Sequence, residues 1–239
     1  MALVRLDKFL SDMGIASRKE LKAIIRQGRV CIDGVAAVSP DAKLDAESCR
    51  VTLDGREMKY ARFHYYMIDK PAGVITATDD KKQQTVLDLL PEELRRMGLF
   101  PVGRLDKDTS GLLLLTDDGE FAHKVISPKY QIEKLYLATV EGTPDRTDAE
   151  AFQSGIVLRD GTKCLPARLE VTGGSECFVT VMEGKYHQVK RMLASRGKPV
   201  TALRRLRIGE LSLDDNSIPG QFRELDEKDL GKIFMGKML

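Results

Sequence analysis

Residues 103–111 read GRLDKDTSG and run directly into the apolar stretch LLLLT of residues 112–116. The first segment has the Gly, Asp, Thr and Ser content of a loop, whereas the second has the composition of a buried strand. Loops held by rigid elements are where reactive groups concentrate, and Asp106 lies between Leu105 and a charged pair, so its carboxyl group is expected to be half-buried and is a candidate nucleophile or base. On the pattern alone, the carboxylates of Asp106 and Asp108 can equally serve only as hydrogen-bond acceptors within a turn.

Strand and helix patterns around this segment indicate the fold class. We predict strands at Tyr65–Ile68, Val74–Ala77, Gly111–Thr116, Leu135–Val140, Ile156–Leu158, Leu169–Val171, Phe178–Met182 and Leu203–Ile208. Helices are predicted to begin at Thr85 and at a capping box over Thr147–Glu150, and to span Glu120–Ile126, His187–Ser195 and Glu227–Met235. A turn signal at Asp160-Gly161 favours hairpins, so we expect an α+β domain whose central mixed, largely antiparallel sheet is flanked by helices.

The N-terminal part of the chain has the pattern of a smaller unit. Apolar residues recur at helical spacing over residues 5–13, and Ser17-Arg18-Lys19-Glu20 is a capping box that opens a second helix, which Gly28 ends. Short strand-like pieces then surround turn signals at Asp33-Gly34 and Asp54-Gly55. We therefore predict two domains, a small α/β module at residues 1–60 and a larger domain at residues 61–239.

The formal net charge of +2 hides an uneven distribution. The basic residues of segment 1–30 are Arg5, Lys8, Arg18, Lys19, Lys22, Arg26 and Arg29. Segment 184–209 contains no acidic residue, and its basic residues are Lys185, Lys190, Arg191, Arg196, Lys198, Arg204, Arg205 and Arg207. Two such segments on an otherwise acidic chain predict a surface for a polyanion, and we favour nucleic acid over two solvated helix faces.

Composition and spacing exclude several functional classes. The 4 cysteines are scattered, and the 3 histidines are far apart, which argues against a disulfide scaffold and a structural zinc site. We find neither a Walker loop nor a dinucleotide fingerprint. The longest aliphatic run is too short for a membrane helix, and the N-terminus has no export signal. We expect no metal, no cofactor, no membrane partner, a cytoplasmic location and a monomer.

Two further segments contain side chains that can act together with the carboxylates. If a helix begins near His187, then Lys190 and Arg191 lie in its first turns, where one can keep a half-buried carboxylate ionised while the other contacts phosphate. The alternative is a solvated basic helix. Tyr136 can stack on a nucleobase or pack in the core. For His187 we favour an RNA contact or a capping role over a catalytic role.

These segments, in this order, resemble the pseudouridine synthases, and most closely their ribosomal small-subunit (RsuA-like) branch. The resembling motifs are Gly103–Gly111 with the Leu run, Lys70-Pro71-Ala72-Gly73-Val74, Glu133-Lys134-Leu135-Tyr136, Tyr186-His187-Gln188-Val189-Lys190-Arg191-Met192 and Leu203–Gly209. Residues 5–50 are similar to the small RNA-binding domain named after ribosomal protein S-four. The resemblance covers nearly the whole chain, and five motifs in one order make it specific.

The resemblance implies isomerisation of a specific uridine to pseudouridine in ribosomal RNA, without a cofactor. Asp106 would be the catalytic aspartate, Tyr136 would stack on the uracil and later help proton removal, and Lys190 would pair with Asp106, with Arg191 as its substitute. Whether the aspartate bonds to the sugar or to the base stays open. The implied RNA-binding residues are Arg5, Arg18, Lys19, Lys22, Arg26, Arg104, Lys185, His187, Arg191 and Arg205. The Tyr-His-Gln-Val-Lys-Arg form implies 16S ribosomal RNA, which we expect within a partly assembled small subunit.

Two alternatives remain at this point. Asp106-x-Asp108-Thr109 also matches the nucleophile loop of aspartate-dependent phosphotransferases and phosphatases, in which case Asp117-Asp118 can hold magnesium. Against this alternative, the strand follows the motif rather than preceding it. The other alternative is a non-enzymatic assembly factor that binds ribosomal RNA through residues 1–60, which leaves the motifs at 103–116 and 184–209 unexplained.

Overall fold

The computed structural model of the protein describes residues 3–46, 48–214 and 216–235, and the chain divides into two compact units. Unit 1 comprises Met1–His64 and Leu90–Leu99, and unit 2 comprises Tyr65–Leu89 and Phe100–Leu239. The sequence predicted a boundary at residue 60. The segment Leu90–Leu99, which belongs to unit 1, has no sequence signal that distinguishes it from its neighbours.

Unit 1 contains three short helices and two small sheets within the described residues. Its elements are β1 (Val4–Arg5), α1 (Leu6–Asp12), α2 (Arg18–Arg26), β2 (Val30–Ile32), β3 (Val35–Ala36), β4 (Lys43–Leu44), β5 (Val51–Leu53), β6 (Arg56–Met58) and α3 (Glu92–Arg96). The predicted capping box is present, since the Ser17 hydroxyl accepts from the Glu20 amide and the Glu20 carboxylate accepts from the Ser17 amide. Leu6, Phe9 and Leu10 of α1 are buried together with Leu21 and Ile25 of α2, which gives the unit its core.

Unit 2 is built on one large sheet. Its elements are β7 (Tyr65–Lys70), β8 (Phe100–Pro101), β9 (Thr109–Thr116), α4 (Gly119–Ile126), β10 (Lys134–Val140), α5 (Arg146–Ser154), β11 (Arg168–Val171), β12 (Glu176–Val181), α6 (Gln188–Ser195), β13 (Val200–Ile208), β14 (Leu211–Ser212), β15 (Phe222–Glu224) and α7 (Glu227–Phe234). The main strand order is β11-β12-β10-β13-β9-β7-β15, with β14 on β13 and β8 on β9. Since β9 and β13 pair in parallel while the other pairs are antiparallel, the predicted mixed, largely antiparallel sheet is confirmed.

Four local predictions in unit 2 were wrong. The segments expected as strands at Val74–Ala77 and Ile156–Leu158 make only isolated bridges, Ile75 to Thr85 and Val157 to Lys163. The helix expected from Thr85 is a short 3-10 turn at Leu87–Leu89. Helix α5 is capped by Asp145 and Asp148 rather than by Thr147, because the Asp145 carboxylate already accepts from the amides of residues 147 and 148. The two strand errors concern short segments, whereas the capping error is local, since Asp145 lies just before the predicted box.

The parallel pairing of β9 with β13 requires a glycine at position 111. Gly111 lies opposite Arg205 at a φ of +104°. A Cβ atom added there would lie 2.2 Å from the Arg205 carbonyl oxygen and 2.7 Å from its amide nitrogen. Because backbone atoms cannot move aside as a flexible side chain can, this close approach fixes β9, and with it the preceding loop, against β13.

We expect Gly111→Ala to lower the free energy of unfolding by about 3 kcal/mol or more, because backbone clash adds to left-handed strain. Gly161→Ala is the matched control, since Gly161 also has a positive φ but has open space around its Cβ position. Strain alone should cost that control about 1–2 kcal/mol. Urea denaturation measures both values, and equal losses in the two variants would show that the approach to Arg205 is unimportant.

Candidate active site

A pocket of about 670 Å³ opens in unit 2 where six segments of the chain meet. Its wall comprises residues 75–76, the loop before β9, the end of α4, the start of β10, the end of β13, and residues 183–187 before α6. Asp106, Tyr136 and His187, which the sequence singled out separately, all line this pocket. Its volume is in the range of ligand-binding sites, so the pocket is the candidate active site.

Asp106 is the half-buried carboxylate that the loop sequence predicted. Its side chain is 26% exposed, and its backbone carbonyl accepts from the Thr109 amide at 3.1 Å, which closes a turn immediately before β9. Lys190 Nζ lies 3.0 Å from Asp106 Oδ2, and His187 Nε2 lies 3.3 Å from Oδ1. A carboxyl group with a nearby ammonium in a partly dry site is suited to act as a nucleophile or base.

Lys190 is shared between two carboxyl groups, since its Nζ also lies 2.5 Å from Asp108 Oδ1. Burial opposes the charge of Lys190, but the hydrogen bonds to Asp108 and Asp106 outweigh it and raise its pKa above the usual value. The hydrogen bond between Lys190 and Asp108 lowers the pKa of Asp108. The ammonium of Lys190 is therefore held protonated between the two aspartates of the loop.

Arg191, the alternative partner of Asp106, points elsewhere. Its Nη2 lies 2.5 Å from Asp160 Oδ2, and its Nη1 donates to the Tyr186 carbonyl oxygen at 3.4 Å. Helix α6 begins at Gln188, and successive helical residues point about 100° apart. Of the two candidates, the structure thus places Lys190 beside Asp106.

The side chain of Lys70 holds the backbone of the loop that contains Asp106 and Asp108. The sequence did not predict this placement. Lys70 is 0% exposed, and its Nζ donates to the carbonyl oxygens of Pro71 at 2.9 Å, Lys107 at 3.3 Å and Thr109 at 2.8 Å. Burial lowers its pKa to about 8. The sequence placed Lys70 only at the start of the Lys70–Val74 motif and gave it no role. Lys70 ties down the backbone on both sides of Asp108.

The low pKa of Lys70 predicts a pH-dependent contribution to stability. The folded protein releases this proton near pH 8, whereas the unfolded chain holds it until about pH 10.5. Between these values the unfolded chain binds more protons, so the stability of the wild type rises with pH. Relative to Lys70→Met, we expect this gain to reach on the order of 3 kcal/mol. Urea unfolding of both proteins from pH 7 to 10 measures it, and a constant difference across that range would contradict the assignment.

The buried Lys134 and Arg205 and the half-buried Tyr136 form one part of the pocket wall. Tyr136 lies opposite Arg205 across the β10–β13 pair, and Arg205 Nη1 donates to the Tyr136 hydroxyl at 3.5 Å. Arg205 Nε donates to the Leu112 carbonyl oxygen at 2.7 Å. The sequence grouped Arg205 with the RNA-binding residues; Arg205 is only 5% exposed, so it lies in the wall of the pocket and not on the outer surface. The buried Lys134 was noted only as part of a motif.

The rim of the pocket is basic and aromatic. Arg104 is exposed there, as predicted for an RNA contact, and Lys185 Nζ lies 2.5 Å from Glu183 Oε2. The His187 ring stacks on Tyr186 with their centroids 3.9 Å apart. Tyr186 is 76% exposed, and sequence reasoning gave it no role, although an aromatic residue inside a basic segment is a signal for nucleobase stacking.

The basic segment 184–209 is not the bare cationic surface that its composition predicted. Most of its basic residues pair with carboxylates; Lys185 and Arg207 pair with neighbours just outside the segment, and the others pair with carboxylates that are distant in the sequence. The pairs are Lys185–Glu183, Lys190–Asp106, Lys190–Asp108, Arg191–Asp160, Arg196–Asp148, Arg204–Asp69 and Arg207–Glu210. A count along the sequence cannot detect these tertiary ion pairs, so it overestimates the charge that this segment presents to a polyanion.

In segment 1–30 of unit 1, the predicted RNA-binding residues lie mainly on helix α2. Arg5 pairs with Asp7, Lys8 with Asp12, and Arg29 with Asp54, which engages three of the seven basic residues counted in segment 1–30. The predicted RNA-binding residues of α2 are all exposed, namely Arg18, Lys19, Lys22 and Arg26. Arg5, which was also predicted to bind RNA, already forms a two-pronged hydrogen bond with Asp7.

The structure does not support the alternative magnesium site at Asp117-Asp118. Asp118 caps α4, where its Oδ1 accepts from the amides of Glu120 at 2.9 Å and Phe121 at 3.1 Å. Its Oδ2 accepts from the Tyr65 hydroxyl at 2.8 Å. Over residues 3–46, 48–214 and 216–235, no group of three or more His, Cys, Asp or Glu residues is arranged to hold a metal ion.

In the described parts of the chain, no helix is both long enough and apolar enough to cross a bilayer.

Comparison with known proteins identifies relatives over almost the entire chain. Residues 64–195 match the RNA pseudouridylate synthase family, and residues 4–48 match the S4 domain. The uncharacterized RNA pseudouridine synthase YtzG of Bacillus subtilis is 43% identical over 95% of this chain and 97% of its own. Ribosomal small subunit pseudouridine synthase A of Vibrio cholerae is 43% identical over 97% of this chain and 100% of its own. A crystal structure of a pseudouridylate synthase shares 34% identity at a TM-score of 0.68, covering 96% of this chain and 99% of that one.

Proposed function

Because the chain belongs to the RNA pseudouridylate synthase family, it is an enzyme that isomerises uridine to pseudouridine in RNA, and we propose that its substrate is the 16S RNA of the small ribosomal subunit. The full-length similarity to an enzyme named for the small subunit supports this substrate. The Tyr-His-Gln-Val-Lys-Arg form of residues 186–191 supports it independently. Family membership also argues against the two alternatives, an aspartate-dependent phosphotransferase and a non-enzymatic assembly factor.

The observation that carries the proposed mechanism is the 3.0 Å contact of Lys190 with Asp106, whose side chain lines a pocket of ligand size. Isomerisation breaks the bond between C1′ and N1, joins C1′ to C5, and moves a proton from C5 to N1. Such a reaction needs no redox partner and no group donor. Asp106 attacks the uridine or assists its detachment from the ribose, Lys190 holds the carboxylate in place, and Tyr136 stacks on the uracil and then helps to remove the C5 proton.

The target uridine has to leave its stack before it reaches Asp106, at a cost of a few kcal/mol. Contacts between basic side chains and phosphate offset that cost. Arg104, Lys185 and His187 supply these phosphate contacts at the rim of the pocket, and α2 supplies a second attachment point in the S4 domain.

We further propose that the enzyme works as a monomer in the cytoplasm on a partly assembled small subunit.

The substrate assignment is tested by tritium release from uracil labelled at C5, measured in parallel on 16S and 23S transcripts. We expect release from the 16S transcript, stoichiometric with one modified site. The position is then mapped by carbodiimide modification and reverse transcription. Release from the 23S transcript alone would overturn the 16S assignment while leaving the isomerase activity in place.

The role of α2 predicts a separation of binding from chemistry. The combined Lys19→Glu, Lys22→Glu and Arg26→Glu variant should bind RNA about 10- to 100-fold more weakly, with a shallower dependence of Kd on salt. Its single-turnover rate at saturating RNA should equal that of the wild type. Arg29→Glu is the control within unit 1, because Arg29 is already paired with Asp54. A loss of rate at saturation, with Kd unchanged, would contradict the proposed role of α2.

A further inference from the structure

Two buried cations in the pocket wall have no part in holding Asp106. Lys134 is 7% exposed and Arg205 is 5% exposed, and both line the pocket together with Tyr136. Lys134 and Tyr136 lie two residues apart on β10 and so point to the same face, while Arg205 lies directly opposite Tyr136. Within the described residues neither cation has a carboxylate partner at ion-pair distance.

The hydrogen bonds of these cations leave donors unused. Lys134 Nζ donates to the Val125 carbonyl oxygen at 3.2 Å. Arg205 donates through Nε and Nη1, but its buried Nη2 has no acceptor. Burial, together with the charge of Arg205, lowers the pKa of Lys134 to about 8. Buried, unpaired cations are costly to maintain, and such costs are typical of functional sites.

The proposed reaction supplies an acceptor of the required charge. When the C1′–N1 bond breaks, its electron pair stays on the uracil and spreads from N1 onto the carbonyl oxygens O2 and O4. The pair returns to C1′ when C5 forms the new carbon–carbon bond, after which C5 loses its proton and N1 ends protonated. Addition of the Asp106 carboxylate to the base would place negative charge on a carbonyl oxygen as well.

We propose that Lys134 and Arg205 bind the carbonyl oxygens of the flipped uracil. There they stabilise the negative charge that the base carries after the C1′–N1 bond has broken and before the C1′–C5 bond has formed. This inference rests on the proposed function and adds two catalytic residues to it. A phosphate is the other anion that two cations can bind. However, the phosphates of a flipped nucleotide stay in the RNA chain at the entrance, whereas Lys134 and Arg205 are buried and reachable only by the base.

Lys134→Met tests the proposal by separating stability from rate. Methionine has a similar length and no charge to desolvate, so the Tm of the variant should equal or exceed that of the wild type. Its single-turnover rate at saturating RNA should fall by about 100-fold, as for the loss of one preorganised donor to a developing oxyanion. Its Kd for RNA should change less than twofold.

Arg205→Gln should show the same split between rate and Kd, and Arg205→Lys should recover part of the rate because it keeps the charge. Arg146→Gln is the control, since Arg146 is an exposed residue of α5 that pairs with Glu150. A raised Kd with an unchanged rate at saturation would mean that the cations bind phosphate, and would overturn the proposal. A fall in both Tm and rate for Lys134→Met would indicate a structural role, and would overturn it as well.

A substrate containing 5-fluorouridine at the target position provides a measurement that does not depend on folding. Fluorine withdraws electrons from the base, so the departing uracil needs less stabilisation. The rate loss of Lys134→Met, measured as consumption of the target nucleoside, should therefore be several-fold smaller on this RNA. The ratio of the two rates comes from one protein preparation, so the folded fraction cancels. Equal losses on both RNAs would refute the proposal, whereas failure of the wild type to convert uridine would instead refute the proposed function.

Discussion

Asp106→Asn should abolish pseudouridine formation while leaving RNA binding intact. Asparagine keeps the volume of the side chain and can accept from Lys190, but its amide is neither a nucleophile nor a base. The single-turnover rate should therefore fall by a factor of at least about 10⁴, as it does when the reacting group of an enzyme is removed. The Kd for 16S RNA should stay within about threefold, since Asp106 offers RNA no positive charge.

Asp108→Asn is the matched control for this experiment. It makes the same chemical change two residues away, and Asp108 contacts the same Lys190. Because Asp108 is exposed, its loss should reduce the rate by about tenfold or less. Tritium release under single-turnover conditions measures all three proteins. Full isomer yield from Asp106→Asn would eliminate this aspartate as the catalytic group. Equal rate losses in the two variants would show that catalysis needs the negative charge of the loop and not Asp106 in particular.

Lys190→Met should have the second largest effect, a fall in rate of about 10³-fold. Removing one partner of a partly buried ion pair leaves the other uncompensated, at about 3–5 kcal/mol. The carboxyl groups of Asp106 and Asp108 would then lose the ammonium between them and repel each other. Lys190→Arg should recover part of the rate, because it keeps the charge with a different geometry.

Arg191→Met is the control for Lys190→Met, because it removes the neighbouring cation from the same helix. Arg191 pairs with Asp160, so its loss should leave the rate at saturating RNA nearly unchanged. The pKa of Asp108, followed by NMR titration, should rise toward its usual value only in Lys190→Met, since its hydrogen bond to Lys190 lowers it. The opposite ranking of the two variants would make Arg191 the partner of Asp106.

The sequence predicted the parts of this protein that depend on local patterns. Helix α2 has its capping box at Ser17, and the run that follows Asp106 forms the buried strand β9. The mixed sheet also follows from local strand and turn signals. These features were predictable because capping, alternation and turn chemistry act within a few residues.

The features that the sequence did not reveal depend on tertiary contacts. The choice between Lys190 and Arg191 depends on where α6 begins, and a shift of one residue turns a helical side chain by about 100°. The ion pairs of segment 184–209 bring in carboxylates from distant positions such as Asp69. Lys70 and Arg205 are of residue types that usually lie at the protein surface, and only the packing of β7 and β13 shows that they are buried.

The discontinuous make-up of unit 1 has a consequence for its synthesis. Its second segment, Leu90–Leu99, follows a stretch that belongs to unit 2. A nascent chain that has just exposed His64 therefore lacks part of the unit until translation has supplied Leu99, a delay of a few seconds at about 5–20 residues per second. During that interval the N-terminal unit of the nascent chain is incomplete on the ribosome, because α3 has not yet been translated.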